Sequence, residues 1–207
     1  MIKIVYLDEE AGWQSTVYAV LSSKYEVHIP ESLPHDVSQI WDEIRDSQLA
    51  IVDFRLNGDG ILSYTGDDVA REIHKHNKHM PIFIITSFED NAIQECTEIQ
   101  SIRGKELFTD PKQESKLFNM IDSAVSIYDR RKAECENCIA YCQEKLAKGE
   151  PLTTKEEAEK FDAELYISEL NLDSSARSNL ITTSSSKELE ELLSLARTIV
   201  ANHKKIK

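Results

Sequence analysis

Leu49-Ala50-Ile51-Val52-Asp53-Phe54-Arg55-Leu56-Asn57-Gly58-Asp59-Gly60 is the stretch on which the reading of the fold turns. Four apolar residues run straight into an aspartate, and a loop-forming Asn-Gly-Asp-Gly follows. A short apolar run bounded by turn residues predicts a strand buried on both faces, as in a parallel sheet. An Asp at the carboxyl end of such a strand stands where open α/β sheets place their chemistry. Asp is also a common turn former, so the rest of the chain has to decide between the two roles.

Working outward, residues 2–7 predict a first strand, ended by Asp8-Glu9-Glu10. Trp13, Val17, Val20 and Leu21 then recur at helical spacing. Residues 25–29 alternate like a second strand, closed by Pro30 and Pro34. A helix fits residues 37–46, with Ile40, Trp41 and Ile44 inward. Downstream of Asp53, Gly66-Asp67-Asp68 opens a helix whose acidic start suits the positive end of its dipole. Residues 81–85 form a fourth buried strand, ended by Thr86-Ser87. A helix over residues 92–99 leads to a weaker fifth strand, Glu106-Leu107-Phe108, stopped by Asp110-Pro111. Strands alternating with helices predict an α/β fold, a doubly wound five-stranded parallel sheet.

The chain has 207 residues, enough for one good core and a smaller appendage. Its net charge of −13 is uneven, because residues 1–129 hold 23 acidic against 11 basic side chains. Phosphate contacts need a basic surface, so DNA binding is not expected. The sequence opens directly into a strand, no apolar run is long enough to span a bilayer, and Cys96, Cys135, Cys138 and Cys142 do not form a secreted disulfide framework. A soluble cytoplasmic protein is the expectation.

From Lys112 onward the pattern is helical. Leu117, Ile121, Ala124, Tyr128, Cys135, Cys138 and Cys142 follow a 4-3 spacing interrupted by Arg131, which predicts one helix over about 113–146, roughly 50 Å long. Two readings stand: a homodimer through this helix, or packing of the helix on its own carboxyl-terminal region. After Pro151, Thr153 or Thr154 caps a further helix, and residues 188–203 form a last amphipathic one. The expected organisation is a domain over 1–129, a helical extension over 130–150 and a small helical module over 151–207.

Three strand ends thus bear polar groups: Asp8-Glu9-Glu10, Asp53 and Thr86-Ser87. In a doubly wound sheet they share one edge. Clustered carboxylates need a cation or raised pKa values, and an oxygen-only donor set suits Mg²⁺. With a hydroxyl on the next strand, the set reads as a carboxylate nucleophile beside a bound Mg²⁺.

On Asp8-Glu9, on Asp53 after its apolar strand and on Thr86-Ser87, residues 1–129 resemble a response-regulator receiver domain, the CheY-like module of two-component signalling. The resemblance implies that Asp53 accepts a phosphoryl group, that Asp8, Glu9, Asp53 and the Arg55 backbone carbonyl hold Mg²⁺, and that Thr86 moves toward the phosphate. It implies a sensor histidine kinase or phosphotransfer protein as donor, and a downstream protein contacted by the carboxyl-terminal helices. No enzymatic activity is expected beyond self-phosphorylation and dephosphorylation at Asp53. Receivers end their fifth strand with a lysine before a proline, where this chain has Asp110-Pro111-Lys112. Either Lys112 substitutes from across the proline or the site lacks that cation. Leu107 falls at the aromatic switch position, and the loop over 57–64 is long. A degenerate receiver acting as a phosphorylation-independent interaction module is therefore the alternative. The cysteine trio suggests buried small residues more than a metal site, and His74, His76 and His79 a solvated helix end.

Overall fold

The computed structural model describes residues 1–58, 60–87 and 102–170. They form β1 (Lys3–Leu7), α1 (Ala11–Leu21), β2 (Glu26–His28), α2 (Trp41–Ile44), β3 (Leu49–Asp53), α3 (Gly66–His76), β4 (Ile82–Thr86), β5 (Ile102–Gly104), α4 (Glu114–Ala147) and α5 (Thr154–Ser168). The five strands make one parallel sheet in the order β2-β1-β3-β4-β5, so the winding reverses between β1 and β3.

All five residues of β3 are buried, as a central parallel strand requires. The period of two along the strands divides the core into two layers. Val5, Leu7, Ala50, Val52 and Ile84 face Ile44, Val69 and Ile73 of α2 and α3. Ile4, Tyr6, Leu49, Ile51 and Ile85 face Val17 and Leu21 of α1 and Leu117, Ile121 and Val125 of α4. Helix α3 opens on a capping box between Thr65 and Asp68, with Asp67 and Asp68 in its first turn.

Two expected elements differ. Residues 37–46 form a 3-10 turn, Val37–Gln39, started by the Asp36 carboxylate accepting from Ser38 N at 2.9 Å, followed by the short α2. Ile40 and Ile44 are nevertheless fully buried. The fifth strand is Ile102–Gly104, and Glu106-Leu107-Phe108 belongs to a 3-10 turn, Lys105–Phe108. The apolar residues that suggested a strand, Leu107 and Phe108, are buried in the α1/α4 layer instead. The helix expected over 92–99 lies outside the described residues, as does everything from 171 to 207.

Met1–Leu170 is one compact unit. Helix α4 runs unbroken through 34 residues, about 50 Å. Gly149, with φ +77°, turns the chain, and Thr153 caps α5 in a reciprocal box with Glu156. Helix α5 folds back along α4. Lys145 Nζ lies 2.7 Å from Glu156 Oε1 near the turn, and the Arg131 guanidinium lies 5.6 Å from the Tyr166 ring farther along. Cys135 and Cys142 are buried, so this part of the 4-3 face is covered within the chain, the second of the two readings. No helix among the described residues is long and apolar enough to cross a membrane.

The end of α5 closes onto the segment before β4. Lys78 N donates to Glu169 O at 3.0 Å, Lys78 Nζ pairs with Glu169 Oε1 at 2.6 Å, and His79 Nε2 meets Glu169 Oε2 at 2.7 Å. His79 stacks on Tyr166 at 4.2 Å, and His76 on Trp41 at 4.9 Å. These two histidines are packing groups rather than a solvated surface.

Candidate functional site

The carboxyl ends of β1, β3 and β4 deliver Asp8, Asp53 and Thr86 to one edge, all three buried. The registers Leu7↔Val52, Asp53↔Ile85 and Thr86↔Gly104 hold these ends level. They border a cleft of about 390 Å³ lined by Glu9, Asp53, Arg55, Gly58, Thr86 and Lys105.

The cation of this cleft is Lys105, which the sequence reading passed over. It follows β5 directly and is 4% exposed. Its Nζ lies 2.8 Å from Asp53 Oδ1 and 2.9 Å from Asp8 Oδ2, and 4.7 Å from the Trp13 ring centroid. The role considered for Lys112 is corrected accordingly. Lys112 lines a different groove, with Phe83, Arg103 and Met120. Asp110 raises no repulsion at the cleft, because its carboxylate caps the turn by accepting from Lys112 N at 2.9 Å. Counted back from Lys105 by the offset that led from Asp110 to Leu107, the switch position falls on Ile102, again without an aromatic ring. The signal that points to Lys105 is the topology. The resemblance implies a lysine after the strand beside β4, and that strand is the short, Arg-containing Ile102–Gly104.

Asp8 is saturated. Its Oδ2 accepts from the Tyr6 hydroxyl at 2.5 Å as well as from Lys105, and its Oδ1 accepts from Glu10 N at 2.8 Å. Tyr6 was likewise missed, although residues i and i+2 of a strand share a face, which puts Tyr6 beside Asp8. Asp53 Oδ2 accepts from Arg55 N at 3.0 Å. Burial pushes the Asp53 carboxyl above its ordinary range, the Asp8 charge adds to this, and Lys105 and Arg55 N oppose it. Burial pulls the Lys105 ammonium down, but Asp53 and Asp8 more than offset this and raise it, so it stays charged. Burial also pushes the Tyr6 phenol well above its ordinary value, with Asp8 contributing.

The donors present fit a hard cation. A Cβ on Gly58 would stand 2.7 Å from Glu9 Oε1 and 3.5 Å from the Arg55 carbonyl oxygen, so these two oxygens border one small space that a glycine leaves open. Together with Asp53 they make a carboxylate-and-carbonyl donor set of the kind Mg²⁺ takes. Among the described residues no three His, Cys, Asp or Glu side chains are grouped as ready ligands. Asp8 and Asp53 are turned onto Lys105.

No protein-family model and no curated protein sequence matches the chain. Solved structures do. NtrX from Brucella abortus superposes with a TM-score of 0.50 at 17% identity, over 66% of this chain and 29% of that one. The chain therefore matches under a third of the length of the Brucella protein. A response regulator receiver domain protein from Clostridium thermocellum gives a TM-score of 0.47 at 24% identity, over 62% of this chain and 98% of that one. The Salmonella typhimurium response regulator RcsB gives 0.41 at 15%, over 78% and 67%. An identity of 17% speaks to architecture alone, and the sheet order observed here agrees with it: the part of the chain that carries Asp53 has a doubly wound, five-stranded parallel α/β fold like that of NtrX.

Proposed function

We propose that this protein is a signalling receiver that accepts a phosphoryl group on Asp53 in a Mg²⁺-dependent phosphorelay. The observation that carries the reading is the Lys105 ammonium, 2.8 Å from Asp53 Oδ1 at the floor of an open cleft. The missing lysine was one of three grounds for the degenerate alternative, beside the non-aromatic switch position and the long 57–64 loop, and Lys105 removes that one. In the transfer, an Asp53 carboxylate oxygen forms a bond to phosphorus while the bond from phosphorus to the donor breaks, its electron pair leaving with the donor. Lys105 keeps its proton and neutralises the buried carboxylates and the arriving oxyanion. The Thr86 hydroxyl, on the adjoining strand, is the hydrogen-bond donor to a phosphoryl oxygen. Asp8, Glu9, Asp53 and the Arg55 carbonyl would hold Mg²⁺, which would neutralise charge on the phosphoryl oxygens. The donor is a sensor histidine kinase or phosphotransfer protein, and the output is a protein recognised through the carboxyl-terminal helices. The protein's own chemistry is confined to gain and loss of the Asp53 phosphoryl group. Incubation with acetyl phosphate and Mg²⁺ tests this: wild type gains one alkali- and hydroxylamine-labile phosphoryl group and Asp53→Asn gains none. Absence of labelling by acetyl phosphate or a cognate kinase refutes it.

A further inference from the structure

The mechanism above leaves the buried Tyr6 hydroxyl unused. Tyr6 is fully buried in the α1/α4 layer, yet its oxygen reaches Asp8 Oδ2 at 2.5 Å. The same carboxylate oxygen receives the Lys105 ammonium at 2.9 Å, and Lys105 in turn holds Asp53 Oδ1 at 2.8 Å. Tyr6, Asp8, Lys105 and Asp53 therefore form a continuous chain of hydrogen bonds from the core to the floor of the cleft. With Glu10 N on Oδ1, every donor around Asp8 is aimed at keeping it where it is.

We infer that Tyr6 is a positioning residue that tethers Asp8 to Lys105 and so lowers the affinity of the cleft for a divalent cation. The inference rests on the receiver reading. Its physical basis is competition for lone pairs. A cation taking Asp8 through Oδ2 must replace the phenol or the ammonium, and one taking the remaining lone pair of Oδ1 must turn a carboxylate that both donors hold in place; either weakens the binding. Tyr6→Phe removes one competitor while keeping the ring that fills the core. The remaining donors, Lys105 and Glu10 N, still hold Asp8 near its place, but its carboxylate is then freer to turn toward Glu9 and the Arg55 carbonyl.

Trp13 supplies the readout, because its ring lies against the Lys105 ammonium. In a Trp41→Phe background, full-length protein titrated with MgCl₂ reports the binding through Trp13 fluorescence. Tyr6→Phe is expected to tighten the Mg²⁺ Kd about tenfold, the scale of one hydrogen bond to a charged acceptor. The same substitution made in Asp8→Ala is expected to change nothing, since no acceptor is left for the Tyr6 hydroxyl. An unchanged or weakened Kd in Tyr6→Phe overturns the inference, as does an equal shift in the Asp8→Ala background or a failure of wild type and Tyr6→Phe alike to bind. Acetyl phosphate labelling of wild type is scored separately. Labelling with no Tyr6→Phe effect removes the tether and leaves the receiver reading intact, whereas absence of labelling removes the receiver reading itself. Should Tyr6→Phe not fold, the wild-type hydroxyl proton of Tyr6 decides. Its downfield NMR resonance moves upfield on saturation with Mg²⁺, and a resonance that stays put while the metal binds overturns the tether.

Discussion

Replacing Lys105 with methionine keeps most of the side-chain volume and deletes the charge. Lys105 and its two partners are at most 7% exposed at the side chain, so water does not take over the lost interactions. Removing one member of a buried ion pair costs about 3–5 kcal/mol, because the charge left behind has no compensation. The contact with Trp13 contributes within that figure. With a urea slope of about 2 kcal/mol/M the unfolding midpoint falls by about 2 M. The penalty also depends on pH with a definite sign. Asp53 already titrates above its ordinary range, so its protonated form is favoured in the folded state. The stability tied to that proton is present at low pH and is lost as pH rises through the folded-state value. Lys105→Met is therefore less impaired near pH 5 than near pH 8, and adding Asp53→Asn removes much of this difference. Urea unfolding followed by circular dichroism at both pH values is the assay. A Lys105→Met midpoint within experimental error of wild type at pH 8, or a larger loss at pH 5, refutes the reasoning.

Gly66→Ala sets a Cβ 2.4 Å from the Asp53 carbonyl oxygen and 3.0 Å from Phe54 Cα, both backbone atoms. It should destabilise by about 1–3 kcal/mol in urea and reduce Asp53 labelling, since the segment carrying Asp53 has to shift. The Glu156 carboxyl is held down to about 2, first by Lys145 and then by Thr153. Its contribution to the α4/α5 hairpin is complete above the ordinary glutamate value and is lost as pH falls through about 2. Far-ultraviolet circular dichroism should show a helix loss over that interval that Glu156→Gln reduces. Burial raises the Cys142 thiol, and Cys138 is the more exposed of the pair. Mass spectrometry after brief alkylation should find Cys138 modified before Cys142, with Glu156→Ala narrowing the gap. Glu169→Ala removes the partner of Lys78 and His79 and should speed amide hydrogen exchange at the end of α5.

The sheet was legible because its central strands are short apolar runs ended by polar residues. Asp8, Asp53 and Thr86 could be placed from that pattern alone, since each closes a strand. Lys105 could not. β5 is three residues long and has Arg103 at its middle, whereas Leu107 and Phe108 downstream offered a stronger apolar signal. Those two residues are apolar because they pack under α4, a tertiary fact with no period to show it. The pairing of Glu169 with Lys78 and His79 spans about 90 residues of chain, and no local pattern encodes it. Tyr6 was hidden differently: a tyrosine in an apolar strand reads as core, and its hydroxyl matters only once Asp8 is seen two residues on.

Helix α4 has a mechanical consequence. It lies on the sheet through Leu117, Ile121 and Val125, on the face that also carries Tyr6. From Val125 to Ala147 it then extends a further 33 Å or about that. As a lever, a tilt of a few degrees at the sheet would sweep its far end through about 2 Å. The hairpin resists such a sweep, because α5 returns along the rod and is fastened at Glu169 to Lys78 and His79, just before β4. The rod is thus held at two separated points of one body, like a beam resting on two supports. A displacement begun at the strand ends can reach the far end of α4 as bending, or by unfastening the Glu169 contact, but not as free rotation.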